Sequence, residues 1–195
     1  MRITGGEAAR RILRVPKGLD VRPTPDRVKQ AVFNSLGERI VGARVLELFG
    51  GSGALSLESL SRGCAFALCL EKSPRHAAFI RSNAEAAGYG PARFHVRVQD
   101  VFAALPQLAA AGECFDLILA DPPYGEKNVG RRSTSLAQKT LDDSDLPRLL
   151  SAGGRLVLGH ARRDTLEIPR AWHEVKVLTH GDNVMRFLET ASPAA

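Results

Sequence analysis

Polar and apolar positions change rhythm repeatedly along this chain. Two short strand-like stretches, residues 2–4 and 11–15, flank Gly5-Gly6 and predict a small hairpin. In "RPTPDRVKQAVFNSL", Val28, Val32, Phe33 and Leu36 recur at helical spacing, with Thr24 expected as the N-cap and Pro25 as the first helical residue. After Gly42, strand and helix patterns alternate. "ARVLELF", "FALCLE", "ARFHVRV" and "FDLILA" read as strands. Between them, "ALSLESLSRG", "SPRHAAFIRSNAEAAG" and "VFAALPQLAAAG" read as helices, the second with Ser73 as cap, Pro74 inside and Gly88 past its end, the third bent or restarted at Pro106. A polar loop follows, then a partly helical "LDDSDLPRLLSAGG", a strand "RLVLGH", and two strands in "WHEVKVLTHGDNVMRFLET" joined at Gly181-Asp182. Alternating strands and helices predict a parallel sheet covered on both faces, and the closing pair predicts an antiparallel strand at its end. Trp172 is expected in the core.

Length and composition narrow the class. A chain of 195 residues with 44% hydrophobic and 25% charged residues suits one globular α/β domain. Its apolar runs are too short for a membrane span, and "MRITGGEAARRILRV" lacks the apolar core of a secretory signal. Cys64, Cys69 and Cys114 have no CxxC spacing, so they are expected to be reduced, structural and cytoplasmic, with no metal site. The net charge is +6, and residues 1–40 hold nine Lys/Arg against four acids. A basic segment beside a nearly neutral remainder points to a polyanion, with nucleic acid favoured over a merely solvated arm. The expected division is a basic hairpin extension over residues 1–20, a catalytic domain over 21–190, and a flexible tail over 191–195.

In an open parallel sheet, ligands bind beyond the carboxyl ends of the strands. The first long strand ends in "ELFGGSGAL", where Gly50, Gly51 and Gly53 permit a tight turn and close approach of backbone to ligand. The second strand ends in Glu71, placed to accept ribose hydroxyls, and the third ends at Asp100-Val101, placed to meet an adenine amine and ring. These features describe an adenosine pocket. The third glycine of the dinucleotide pattern is replaced by Ser56, and Glu47 puts a carboxylate where a pyrophosphate would be repelled. That carboxylate suits the cationic amine of S-adenosylmethionine.

The fourth strand runs into Asp121, Pro122, Pro123 and Tyr124. Neither proline can donate to a sheet ladder, and both stiffen the exit. A carboxylate and the Pro122 carbonyl could accept the two N–H bonds of an exocyclic nucleobase amine, with Tyr124 stacked on the base, once that base has left its stack. Residues 125–135, with two glycines and no apolar periodicity, are expected to be mobile and to order over the base, with Arg131 or Arg132 reaching a phosphate.

The segments "MRITGG", "RPTPDRVKQAVFNSL", "VLELFGGSGALSLESLSRG", "LEKS" and "DLILADPPYG" fall in order over about two-thirds of the chain. Together they resemble the bacterial family that methylates a guanine N2 of 16S ribosomal RNA. "DPPY" alone is shared with adenine-N6 enzymes; the "RPT-x-DR-V" helix is more specific. The chain differs from that family in having Glu47 where Asp is commoner and "GHARR" at the end of the fifth strand where a Glu is usual. The resemblance implies a Rossmann-like seven-stranded, mostly parallel sheet with helices on both faces, an antiparallel last strand and a small N-terminal hairpin and helix. It also implies S-adenosylmethionine held by Glu47, Phe49, Gly50, Gly51, Ser52, Gly53, Glu71, Lys72, Asp100 and Val101, and a base held by Asp121, Pro122, Pro123 and Tyr124. Ribosomal RNA, or a small-subunit assembly intermediate, would meet Arg10, Arg11, Arg14, Lys17, Arg22, Arg27, Arg131 and Arg132, with the protein acting as a monomer without metal or membrane. Alternatives are an adenine-N6 methyltransferase, a nicotinamide-dependent oxidoreductase and a non-catalytic RNA-binding or assembly protein.

Overall fold

The computed structural model describes residues 1–15, 24–124, 127–128 and 131–191. Its elements in chain order are α1 (Asp26–Leu36), β1 (Arg44–Leu48), α2 (Ala54–Ser61), β2 (Phe66–Glu71), α3 (Pro74–Ala87), β3 (Phe94–Val98), α4 (Val101–Ala110), β4 (Phe115–Ala120), α5 (Leu136–Asp142), β5 (Leu150–Ala161), β6 (Trp172–His180) and β7 (Asn183–Thr190). The seven strands form one mostly parallel sheet in the order β3-β2-β1-β4-β5-β7-β6, and β7 runs antiparallel to both β5 and β6. The Rossmann-like expectation is met. The chain divides into two compact units, Met1–Ala104 and Leu105–Ala195. Among the described residues no helix is long and apolar enough to cross a membrane.

In the first unit β2 pairs in parallel with both β1 and β3. Val45, Leu46, Glu47 and Leu48 are all buried, as a strand covered on both faces requires. All eight residues of α2 are buried, including Glu58, Ser59 and Ser61. A helix with no solvent face needs partners for its polar groups. Ser59 Oγ donates to the Leu55 carbonyl, while Glu58 and Ser61 are bonded by the N-terminal segment. Glu58 accepts from the backbone N–H and hydroxyl of Thr4, both at 2.7 Å, and from Arg62 Nε at 2.8 Å. Lys29, fully buried on α1, lies 3.7 Å from Glu58 and 3.6 Å from Asp26 and donates to the Arg2 carbonyl. The N-terminal hairpin is thereby fastened to α1 and α2 by a buried polar network.

Several local expectations need correction. The N-terminal hairpin is a single antiparallel bridge, Arg2 to Ile12, rather than two strands. Helix α1 begins at Asp26 with Pro25 at the N-cap, one residue later than expected, and no side chain caps it. Pro106 lies inside a continuous α4 and does not restart it. Cys114 is exposed, whereas Cys64 and Cys69 are buried. The terminal signals of α3 are as expected: Ser73 accepts from His76 N–H, Pro74 is the first helical residue and Gly88 is left-handed at φ 85°. Lys17, Arg22, the boundary near residue 20, and the tail beyond residue 191 lie outside the described residues.

In the second unit β4 pairs in parallel with β5, with a register shift between Phe115 and Leu117. The β6–β7 hairpin turns at Gly181-Asp182, as the sequence indicates. Trp172 is buried, and its indole N–H donates to the Leu141 carbonyl at 3.0 Å. Helix α5 starts at Leu136, inside the stretch expected to be loop, because Ser135 caps it by accepting from Gln138 N–H.

Candidate active site

The first unit builds a glycine turn between two carboxylates. Gly51 and Gly53 have positive φ, and Gly53 opens α2 with no side-chain cap. A Cβ on Gly50 would lie 2.4 Å from Cys69 Sγ, so glycine is needed there for packing against β2. Phe49 is a non-glycine residue at φ 61°, an uncommon conformation that clusters at functional sites. Its ring meets Phe102 edge-on at 6.0 Å. Ser52 is buried and donates to Met1 Sδ.

Glu71 bridges the turn to the next helix. One oxygen accepts from Gly51 N–H at 2.7 Å and the other from Ser73 N–H at 2.8 Å. A carboxylate oxygen carries two lone pairs, so each retains capacity for a hydroxyl. Asp100 is exposed at the start of α4, where its Oδ1 accepts from Phe102 N–H at 3.0 Å, and Val101 beside it is buried. Lys72 is exposed.

Glu47 has a structural part that was not expected. It is buried, and its two oxygens accept from the backbone N–H groups of Leu55 and Ser56, at 3.3 and 2.9 Å. It thus caps the N-terminus of α2 from the neighbouring strand, which the helix dipole favours. Burial pushes its carboxyl up to about 7, against bonds from Ser56, Cys69 and Leu55 that pull the other way. A group raised in the fold stabilises the fold most when protonated. Its contribution is therefore full below about pH 4.5 and is lost as pH rises through about 7, a swing of about 3 kcal/mol. In urea unfolding from pH 4.5 to 8, Glu47→Gln is expected to remove this slope. A constant difference between wild type and variant across that range would refute the assignment.

The second unit presents the Asp-Pro-Pro-Tyr turn after β4. Pro122 is buried, Pro123 exposed, and Asp121 and Tyr124 half-buried. The described residues contain no cis peptide bond. A Cβ added to Gly159 would fall 2.4 Å from Asp121 Oδ1, so this glycine leaves the space that the carboxylate fills. The Tyr124 hydroxyl donates to Asn183 Oδ1 at the start of β7. Neither Gly159 nor Asn183 was among the expected site residues. A glycine inside "RLVLGH" was a legible sign of close approach; the partner of Tyr124, 59 residues away, left no local sign.

His160, next to Gly159, is buried. Its Nε2 accepts from Arg186 Nε at 2.9 Å, which leaves Nδ1–H to donate to the Ala161 carbonyl at 3.0 Å. Burial, with the Arg186 charge, lowers its pKa and keeps it neutral. It is a packed structural histidine at the end of β5.

The expected basic residues fall into two sets. Arg10, Arg11, Arg14 and Arg27 are exposed in the first unit, and the Arg14 backbone is gripped by the Asn83 amide, which accepts from its N–H at 2.8 Å and donates to its carbonyl at 2.9 Å. In the second unit Arg131 is exposed, but Arg132 is bound to Asp142 at 2.7 Å and Glu167 at 2.9 Å. The expectation that nothing pins residues 125–135 is wrong for the described ones, because Asn128, Ser133 and Ser135 are buried and bonded.

The chain is similar to known proteins. YlbH of Bacillus subtilis (strain 168), provisionally named an rRNA methyltransferase, is 31% identical over 192 residues, 97% of this chain and 93% of its own. Ribosomal RNA small subunit methyltransferase D of Escherichia coli (strain K12) is 38% identical over 124 residues, 64% of this chain and 60% of that protein. The solved structure of yhhF from Escherichia coli, provisionally assigned as a methyltransferase, matches with a TM-score of 0.79 at 27% identity over 99% of both chains. Residues 1–189, which carry the hairpin, the glycine turn and the Asp-Pro-Pro-Tyr turn alike, match a single family model throughout, and the chain belongs to the family described as Conserved hypothetical protein 95.

Proposed function

We infer that this protein transfers a methyl group from S-adenosylmethionine to the exocyclic N2 amine of a guanine in 16S ribosomal RNA. The observation that carries the reading is the Asp121–Tyr124 turn, with room made for its carboxylate by Gly159 and its tyrosine held by Asn183. The 38% identity to Ribosomal RNA small subunit methyltransferase D supports the substrate.

The residues of the first unit suit the cofactor. Glu47 and Glu71 at the glycine turn disfavour a pyrophosphate and favour hydroxyls and cationic groups. Glu71 would accept from the ribose hydroxyls, Asp100 from the adenine amine, Val101 and Phe49 would flank the ring, and the turn at Gly50, Gly51, Ser52 and Gly53 would follow the ligand closely, with Lys72 at its edge. Glu47 would act through the turn it holds, and a nearby positive charge would favour its ionised form. S-adenosylmethionine supplies the electrophilic methyl on a sulfonium. Asp121 and the Pro122 carbonyl would accept the two amine N–H bonds, favouring a pyramidal nitrogen with an available lone pair, Pro123 would stiffen the turn, and Tyr124 would stack on the base. Much of the rate then comes from positioning. The reading keeps residues 1–20 as an RNA-binding extension of a catalytic domain at 21–190, acting as a monomer in the cytoplasm.

Two measurements test this. With labelled S-adenosylmethionine and 16S ribosomal RNA or small subunits, the modified nucleoside should be N2-methylguanosine. N6-methyladenosine would install the adenine alternative, and RNA binding without transfer the assembly alternative. In calorimetry, Glu71→Ala should weaken S-adenosylmethionine binding by about 1–3 kcal/mol, through lost charged acceptors and a loosened Gly51. Tight NAD binding without S-adenosylmethionine binding would sink the cofactor assignment.

A further inference from the structure

Two stretches of the second unit that are far apart in sequence are stitched together by amide side chains. Asn128 donates from Nδ2 to the Thr165 carbonyl at 2.9 Å and accepts at Oδ1 from Thr165 N–H at 2.9 Å. Gln138 repeats the pattern, donating to the Glu167 carbonyl at 2.9 Å and accepting from Glu167 N–H at 2.8 Å. Both amides are buried, where such paired bonds are hardest to exchange for water. Arg132 adds its two ion pairs to Asp142 and Glu167. The Arg162 N–H donates to the Asp182 carbonyl at 2.8 Å, one residue from the Asn183 that holds Tyr124. Residues 127–128, 131–138 and 162–167 therefore form one braced arm, tied at its base to the tyrosine.

The charges on this arm are unequal in role. Arg132 is taken up by two acids. Lys127, Arg131, Arg162 and Arg163 are exposed and, among the described residues, in no ion pair. Asn128 sets them together, since Lys127 precedes it, Arg131 offers it a carbonyl at 3.2 Å, and its partner Thr165 follows Arg162 and Arg163 by two to three residues. Asp164 within the turn is buried, the exposed Glu167 and Asp142 are paired with Arg132, and Asp182 is a further exposed acid nearby. Four solvated cations on a rigid support suit a chain of phosphates, which fixes register without reading sequence.

We propose that this arm is a preformed RNA-backbone site, in which Lys127, Arg131, Arg162 and Arg163 bind the phosphates flanking the target base while Arg132, Asn128 and Gln138 only hold the arm in shape. The proposal rests on the methyltransferase reading. It replaces a lid that closes over the base with a surface already in place.

The test measures binding of 16S ribosomal RNA as a function of salt. Replacing Arg162 and Arg163 together with Ala should flatten the log-log salt slope by roughly 1–2, at about 0.7 per lost single-strand phosphate contact. Lys127→Ala with Arg131→Ala should do the same, and S-adenosylmethionine affinity should stay unchanged in both. Arg132→Ala should lower the melting temperature and leave the slope as it was. Unchanged slopes in both double variants, or a flattened slope in Arg132→Ala alone, would overturn the proposal. The two readings fail separately. Guanine methylation by the wild type with unchanged slopes in the double variants removes the arm and keeps the activity. Flattened slopes without any methyl transfer by the wild type keep the arm and remove the activity.

Discussion

On the proposed reading, Asp121→Ala will lower methyl transfer by at least about 100-fold while leaving S-adenosylmethionine affinity within about twofold, because the lost acceptor would face the target amine. Gly159→Ala provides an independent route to the same loss. Its new Cβ would sit 2.4 Å from Asp121 Oδ1 and 3.2 Å from Met185 Sδ. The thioether can move aside, but the carboxylate can escape only by turning out of position. A displacement of about 1 Å at a reacting centre is enough for roughly 100-fold in rate. The two substitutions should not add: in the Asp121→Ala background, Gly159→Ala should cost little further activity, since the group it displaces is gone. Single-turnover kinetics of the four-member cycle decides this. Full activity in Gly159→Ala, or additive losses, would mean that the glycine serves packing alone.

Gly6→Ala is expected to give the largest loss of stability, about 3 kcal/mol or more. Gly6 sits at φ 78°, and a Cβ there would lie 1.8 Å from the Ser61 carbonyl oxygen and 2.2 Å from its carbon. These are backbone atoms at the end of a buried helix, so they cannot yield as a side-chain tip would. The same carbonyl accepts from Glu7 N–H at 2.8 Å, and the Ser61 hydroxyl donates to the Gly5 carbonyl and accepts from Ala8 N–H. Displacing the turn breaks all of these and strips Glu58 of its Thr4 donors and Lys29 of the Arg2 carbonyl, a costly outcome for buried charges. Gly42→Ala is the control, with φ 73° and nothing within 4 Å of the added Cβ, where only the conformational cost of about 1 kcal/mol applies. Urea unfolding of both variants measures the difference. Equal losses would show that the hairpin yields freely.

The strand–helix alternation, the caps of α3, the antiparallel end of the sheet and the Asp-Pro-Pro-Tyr turn were all legible in the amino-acid sequence. Each is written in local periodicity, or in residues such as proline and glycine whose backbone preferences act on their immediate neighbours. The same local chemistry misled where long-range contacts prevailed. Glu47 was expected beside the cofactor amine, and nothing local showed that burial and the N–H groups of α2 also make it a helix cap. Nothing local marked Glu58, Ser61 and Lys29 as buried; the hairpin covers them and supplies partners to each. Residues 125–135 looked unanchored because the anchors of Asn128 and Arg132, Thr165 and Glu167, lie about thirty residues or more further on. Sequence by itself determined the order of elements and the positions of the two strand-end turns, since both depend on interactions within a few residues. Only the tertiary structure decided which polar side chains hold the scaffold and which remain available to a partner, because that division depends on burial and on hydrogen-bond partners brought in from distant parts of the chain.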